Sequence, residues 1–303
     1  MTTEWKRVFL LLVAACVSSR SARAQDDPLT RPYTVEECPS CAGWNVPHRP
    51  VHLYGNTYYV GTEGLTSILI ASAEGHVLID GALPNSAPLI LANIRALGFD
   101  PADVKLILNS HAHYDHSGGF AALQRATGAP VAASAASAGA IRSGAAAPND
   151  PQYGDLHATP PVSNVILIEE GRPMTVGSLS LTPYITAGHT PGGTTWTWRS
   201  CEGERCLDFV YADSQTPISR EGFRFGASPQ YPGAVADFRR GFQVLERVPC
   251  DILVTPHPGA SNFWERAASA PEGLIDPEAC RQYAARSLEQ LQARLQREQS
   301  GQN

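Results

Sequence analysis

A chain of 303 residues with 43% hydrophobic content can build a sizeable core in one or two domains. Its formal net charge is −6 and it carries no basic run, which argues against nucleic acid or an anionic membrane as partner.

In chain order, the N-terminus reads as a secretion signal. Lys6 and Arg7 precede an apolar run over 8–17, and Ala22-Arg23-Ala24 is an A-x-A cleavage site before Gln25. The run is too short to span a bilayer stably. Residues 1–24 are expected to be a signal peptide and 25–303 the mature domain. A second reading stays open, because Val13-Ala14-Ala15-Cys16 resembles a bacterial lipobox in which Cys16 would be lipidated. Cleavage would remove Lys6, Arg7, Arg20 and Arg23 against Glu4 alone, leaving a more acidic chain.

Residues 25–50 are Pro-rich and polar and read as an extended leader. Short strands follow at Val51–Tyr54, Thr57–Gly61, Leu65–Ala71 and His76–Asp80, with turn signals at Gly55-Asn56 and Glu74-Gly75. Ile90, Ile94 and Leu97 mark one face of a helix that Gly98 stops. The run Val104–Leu108 reads as a buried strand. Phe120 and Leu123, closed by Gly128, read as a short helix. Residues 140–161 hold much Gly, Ala, Pro, Asn and Asp and are expected to form a long surface loop. Strands resume at Val165–Glu169, Leu179–Thr186, Thr194–Arg199 and Leu207–Asp213. A second helix carries Val235, Phe238, Phe242 and Leu245 inward. Ile252–Thr255 is a strand ending at Pro256-His257-Pro258, and a final helix shows Ala284, Leu288, Leu291 and Leu295 at helical spacing. In each half the sheet precedes the helices. The expected fold is α/β, an αββα sandwich of two mixed sheets packed face to face with helices outside.

Export fits the cysteines. Seven are present, Cys16 lies in the signal, and six remain for an oxidising compartment. Cys201 and Cys206 flank a plausible hairpin tip that a disulfide is expected to clip. Cys250 precedes a strand and Cys280 lies in the last helix, and a bridge between them is expected to tie that helix to the sheet. Cys38 and Cys41 have no second Cys-x-x-Cys pair to complete a zinc site, so a local disulfide is expected. Six cysteines allow fifteen pairings, and spacing alone does not choose among them.

The chemistry concentrates in Ser110-His111-Ala112-His113-Tyr114-Asp115-His116-Ser117-Gly118-Gly119. Three imidazoles and a carboxylate within six residues suit zinc, iron or manganese. The motif leaves a strand, where an α/β sheet presents its ligands. His189, in Gly188-His189-Thr190-Pro191-Gly192-Gly193, and His257 also stand at strand ends. His48, His52, His76 and His157 lack such a context and read as ordinary. No Walker loop, G-x-G-x-x-G or G-x-S-x-G is present, so a serine-hydrolase elbow is not supported. Trp196 and Trp198 alternate onto one strand face and read as core.

His-x-His-x-Asp-His, the later Gly-His-Thr-x-Gly and a last histidine after a strand resemble the metallo-β-lactamase superfamily. Ser214, in Tyr211-Ala212-Asp213-Ser214, together with the export signal, resembles subclass B3 most closely. The resemblance implies two zinc ions per chain, the first on His111, His113 and His189, the second on Asp115, His116 and His257. It implies hydrolysis of the β-lactam amide of penicillins, cephalosporins and carbapenems by a metal-bound hydroxide, with Asp115 helping to orient it, and hence antibiotic resistance. Ser214 and Thr216 resemble a hydroxyl pair that holds the substrate carboxylate, and Gln152 is a candidate contact to a substrate side chain. Asp80, at a strand end, is a candidate acceptor for a ligand ring. The expected enzyme is a periplasmic monomer whose partner is a small β-lactam. It would bind no nucleic acid, and no membrane unless Cys16 is lipidated.

Two alternatives remain. Thioester hydrolases of the glyoxalase II type, lactonases and RNA-processing nucleases of this fold carry a bridging Asp near the position of Ser214, and Asp213 is adjacent. Alternation points Asp213 and Ser214 to opposite faces of an extended segment, against that reading. A zinc-binding protein without catalysis is the other.

Overall fold

A computed structural model describes residues 29–301. The expected signal peptide and Cys16 lie outside the described residues. The strands are β1 (Val51–Tyr54), β2 (Thr57–Tyr59), β3 (Ile68–Ile70), β4 (His76–Ile79), β5 (Val104–Leu108), β6 (Val131–Ala133), β7 (Val165–Leu167), β8 (Met174–Val176), β9 (Leu179–Ile185), β10 (Thr194–Glu202), β11 (Arg205–Tyr211) and β12 (Ile252–Val254). The helices are α1 (Cys41–Trp44), α2 (Ala87–Ala96), α3 (Tyr114–Ser117), α4 (Phe120–Thr127), α5 (Ala135–Ser143), α6 (Ala234–Arg247), α7 (Phe263–Ala267) and α8 (Ala279–Gln299).

The strands form two mixed sheets. One runs β1 to β7 in sequence order, antiparallel from β1 to β4 and parallel from β4 to β7. The other runs β12-β11-β10-β9-β8, with only the β11–β12 pair parallel.

The period-2 alternation of strands explains the layers. Ile68, Ile70, Val77, Ile79, Leu106 and Leu108 point between the sheets, where they meet Leu181, Trp196, Trp198, Phe209, Tyr211, Ile252 and Val254. Leu69, Leu78 and Ile107 point the other way, against Ile90 and Ile94 of α2 and Phe120 and Leu123 of α4. Val210 and Leu253 face outward from the second sheet, against Phe238, Phe242 and Leu245 of α6 and Tyr283, Ala284 and Leu291 of α8. Helix, sheet, sheet, helix is therefore the order, as the patterning predicts. Trp196 and Trp198 are core residues, as expected.

Three expectations change. Residues 140–161 are not simply a surface loop. Their first residues complete α5, which Ser134 caps through its hydroxyl and Gly144 ends in a left-handed conformation. Asp150 and Thr159 farther along are buried. Strands β6 and β8 and helix α5 are not evident from the sequence, because β6 and β8 have three residues each and α5 consists mostly of small residues, without a large apolar face. The expected strands at 57–61 and 65–71 are shorter, at β2 and β3.

Among the described residues there are three disulfides: Cys38–Cys41, Cys201–Cys206 at the β10–β11 hairpin tip, and Cys250–Cys280, which ties α8 beside β12. Among the described residues, no helix is long and apolar enough to cross a membrane.

Candidate metal centre

The six expected ligands converge at one end of the sandwich. His111 and His113 lie in the turn after β5, and Asp115 and His116 on the one-turn helix α3 that follows. His189 follows β9 and His257 follows β12. The Ser-Gly-Gly that ends the motif is a packing requirement. A Cβ on Gly118 would lie 2.2 Å from the Tyr114 carbonyl oxygen, and one on Gly119 would lie 2.1 Å from that of Gly81. Only glycine lets α3 sit this close to the end of β4.

Two trios of donor atoms result, His111, His113 and His189 in one and Asp115, His116 and His257 in the other. All are buried except His257, whose side chain is about one-third exposed. In the second trio, Asp115 Oδ2 lies 3.2 Å from both His116 Nε2 and His257 Nε2, which are 3.3 Å from each other. Atoms bound tetrahedrally about 2.0–2.1 Å from zinc lie about 3.3 Å apart, so this spacing fits. In the first trio, His111 Nε2 is buried with no protein partner. An orphaned ring nitrogen in a fully buried site is costly unless something outside the protein satisfies it. Both trios therefore fit a metal.

The opposite ring nitrogens decide which atom faces the centre. His111 Nδ1 is 2.7 Å from Asp213 Oδ1, His113 Nε2 is 3.0 Å from Asp150 Oδ2, and His189 Nδ1 is 2.9 Å from the Thr216 carbonyl. His257 Nδ1 lies 3.3 Å from the Gly64 carbonyl. With these nitrogens donating, Nε2 of His111, Nδ1 of His113 and Nε2 of His189 and His257 are free as acceptors.

The electrostatics agree. Burial, then the imidazoles of His116, His113 and His189, hold His111 well below the ordinary imidazole value. Burial and the His113 charge push His189 down to about 3. Both rings are neutral at neutral pH, the state that ligates metal. Burial alone would raise the Asp115 carboxyl, but His116 and His257 outweigh it and hold it well below the usual carboxylate range.

Asp80 does not serve a ligand ring as expected. It sits in the left-handed region at φ 58°, and its carboxylate accepts from the Ser110 backbone N–H at 2.8 Å and the Tyr211 hydroxyl at 2.8 Å. His116 Nδ1 is 3.9 Å away, beyond hydrogen-bond distance. Asp80 instead fixes the residue before His111. Asp213 takes the part expected of Asp80, its fully buried carboxylate lying against the His111 ring. Gly193 makes room for it, since a Cβ there would meet Asp213 Oδ2 at 2.2 Å. Trp196 adds a third support, its indole N–H donating to the Asn109 carbonyl at 3.0 Å.

Ser214 is buried beside Asp213, and Thr216 is half-buried with its carbonyl on His189. Gln152 is half-buried in the segment that carries Asp150, and its backbone N–H donates to Asp150 Oδ1 at 2.8 Å. Sequence reasoning missed Asp150 altogether. The signal available was an acid followed by Pro within the ligand-bordering loop, which is weak.

Residues 60–274 match the family model of the metallo-β-lactamase superfamily. Among solved structures, the chain is similar to the Rm3 metallo-β-lactamase, at 52% identity and TM-score 0.85 over 86% of this chain and 99% of that one. It is similar to MEM-A1, a subclass B3 metallo-β-lactamase isolated from a soil metagenome library, at 45% identity and TM-score 0.84 over 85% of this chain and 99% of that one. Among curated proteins, the N-acyl homoserine lactonase AttM of Agrobacterium fabrum is 56% identical over 34 residues. That match spans 11% of this chain and only 13% of that protein's own length.

Proposed function

The chain belongs to the metallo-β-lactamase superfamily, and from that premise we propose that it is an exported subclass B3 β-lactamase that holds two zinc ions. The observation that carries this reading is the pair of adjacent trios, buried but for His257, with the His111 ring nitrogen left without a protein partner. His111, His113 and His189 would hold one ion, and Asp115, His116 and His257 the other. When bound, zinc supplies Lewis acidity that makes water nucleophilic near neutral pH and polarises a carbonyl.

The chain's own residues do the rest. In the first trio the ring nitrogens of His111, His113 and His189 would hold the ion, with His111 and His189 kept neutral by their burial. Asp115 keeps an ionised carboxylate in the second trio and would accept a hydrogen bond from the attacking water and orient it. The hydroxyls of Ser214 and Thr216 hold the substrate carboxylate, and Gln152 touches its side chain. The lactam amide opens without an acyl-enzyme, so no protein nucleophile is required. Substrates are penicillins, cephalosporins and carbapenems, and the outcome is β-lactam resistance. The three disulfides support an oxidising compartment, the periplasm, where the enzyme acts as a monomer.

The test is turnover of nitrocefin and imipenem by the purified chain. EDTA should abolish it, zinc should restore it, and clavulanate-type inhibitors that acylate serine should leave it unchanged. Full turnover in a preparation shown to be metal-free by elemental analysis would reject the reading.

A further inference from the structure

One buried carboxylate lies outside the metal centre and at an unexpected place. Glu298 is 4% exposed in the last turn of α8. An acid there works against the helix dipole, and burying it adds a desolvation cost. Its position needs compensating partners, and apart from Arg294 on the same helix they all lie on one loop.

Glu298 Oε1 accepts from the Phe225 backbone N–H and Oε2 from that of Gly226, each at 2.9 Å. Arg294, one turn earlier, donates to Glu298 Oε1 at 2.9 Å, to the Ser219 hydroxyl at 2.9 Å and to the Phe223 carbonyl at 2.6 Å. Arg224 returns from the loop to the Glu298 carbonyl at 2.7 Å, satisfying an open carbonyl of the helix end. The Arg294 guanidinium lies 5.3 Å from the Phe225 ring centroid. Nearer the start of α8, the Tyr283 hydroxyl accepts from the Gln215 N–H at 3.1 Å. Helix α8 thus grips residues 215–226 at both ends.

Between those two grips the loop does its work on the site. The Thr216 carbonyl orients His189, and the Arg220 N–H donates to the Pro151 carbonyl at 3.0 Å, next to Asp150, which holds His113. The loop has no regular secondary structure of its own between β11 and α6 beyond turns. Its shape is therefore set by what it is tied to.

We propose that Arg294 and Glu298 are positioning residues, an ion pair on the C-terminal helix that holds the loop carrying Ser214 and Thr216 in its substrate-binding position. The substrate part of this proposal rests on the β-lactamase reading. The test uses the zinc-loaded full chain and two readouts, steady-state kinetics with imipenem and the rate of tryptic cleavage after Arg220 and Arg224.

Glu298→Ala should raise KM about tenfold while kcat stays within about threefold, and cleavage should accelerate. Glu298→Gln keeps one acceptor and should fall between it and the parent. Ser219→Ala removes a loop-side contact of Arg294 together with the hydroxyl's bond to the Arg220 carbonyl, leaves the helix intact, and should shift both readouts the same way by a smaller factor. A folded Glu298→Ala with parental KM overturns the proposal, even if cleavage rises, because the pair would then serve stability alone. A fall in kcat at unchanged KM overturns it as well. If Glu298→Ala does not fold, Ser219→Ala decides, and parental values in both readouts reject the clamp. Absence of imipenem turnover in the parent would instead defeat the β-lactamase reading, and the cleavage rates would still show whether the pair holds the loop.

Discussion

Asp213 lies directly behind His111, with Oδ1 2.7 Å from Nδ1 and both side chains fully buried. The two residues are 102 positions apart in the chain. The contact fixes the ring so that the unpartnered Nε2 faces His113 and His189. Asp150 does the same for His113 from a different loop. Loss of such outer partners commonly costs about 10–100-fold in metal affinity. Asp213→Asn and Asp150→Asn should each weaken zinc binding by about that factor, measured by competition with a chromophoric chelator. Parental affinity in both variants would show that these carboxylates are not needed to set the rings. Asp213→Ala should additionally destabilise the fold by about 1–3 kcal/mol, because the His111 nitrogen loses its acceptor in a dry interior.

Asp115→Asn and Ser214→Ala should separate. Asp115 is a proposed charged ligand, so the asparagine variant should lose about one zinc equivalent and fall mainly in kcat. Ser214 is proposed to bind the substrate carboxylate, so its alanine variant should keep both equivalents. Its cost should appear mainly in KM, at about 1–3 kcal/mol at most. Loss of a zinc equivalent in Ser214→Ala would place that residue among the ligands and contradict the B3 assignment.

The disulfides should stabilise unequally. Cys250–Cys280 closes a 30-residue separation and Cys201–Cys206 one of 5. Chain-entropy arguments give about 3.6 kcal/mol for the first and about 2 kcal/mol for the second. Replacing both cysteines of each pair by serine, followed by urea denaturation, measures the difference. Equal losses would mean that native packing, and not the restricted unfolded chain, sets the effect.

Trp196→Phe keeps a large aromatic side chain between the sheets but removes the N–H that meets the Asn109 carbonyl. Stability should fall by about 1 kcal/mol, with a small void adding to the lost hydrogen bond. Because Asn109 also donates to the His111 carbonyl at 2.6 Å, zinc affinity should fall slightly as well. A variant of parental stability would show that the backbone holds this turn without the indole.

Much of the molecule was legible in one dimension because its signals are local. Short apolar runs at 76–80, 104–108 and 207–213 and helical spacing in 235–245 and 284–295 depend on neighbours within a turn or a pleat. The resulting two-faced strands leave few ways to bury both sheets. The ligands were legible for the same reason, since four of the six stand within six residues, and His189 and His257 sit in turns that end strands. What tertiary structure alone decided is which groups stand behind those ligands. Asp213 rather than Asp80 serves His111, Asp150 reaches His113 across 37 positions, and the Thr216 carbonyl meets His189. The grip of Glu298 on residues 225 and 226 spans more than 70 positions. A hydrogen bond of about 3 Å depends on where two distant backbones come to rest, and that is settled by packing the whole sandwich. No local pattern of residues encodes it.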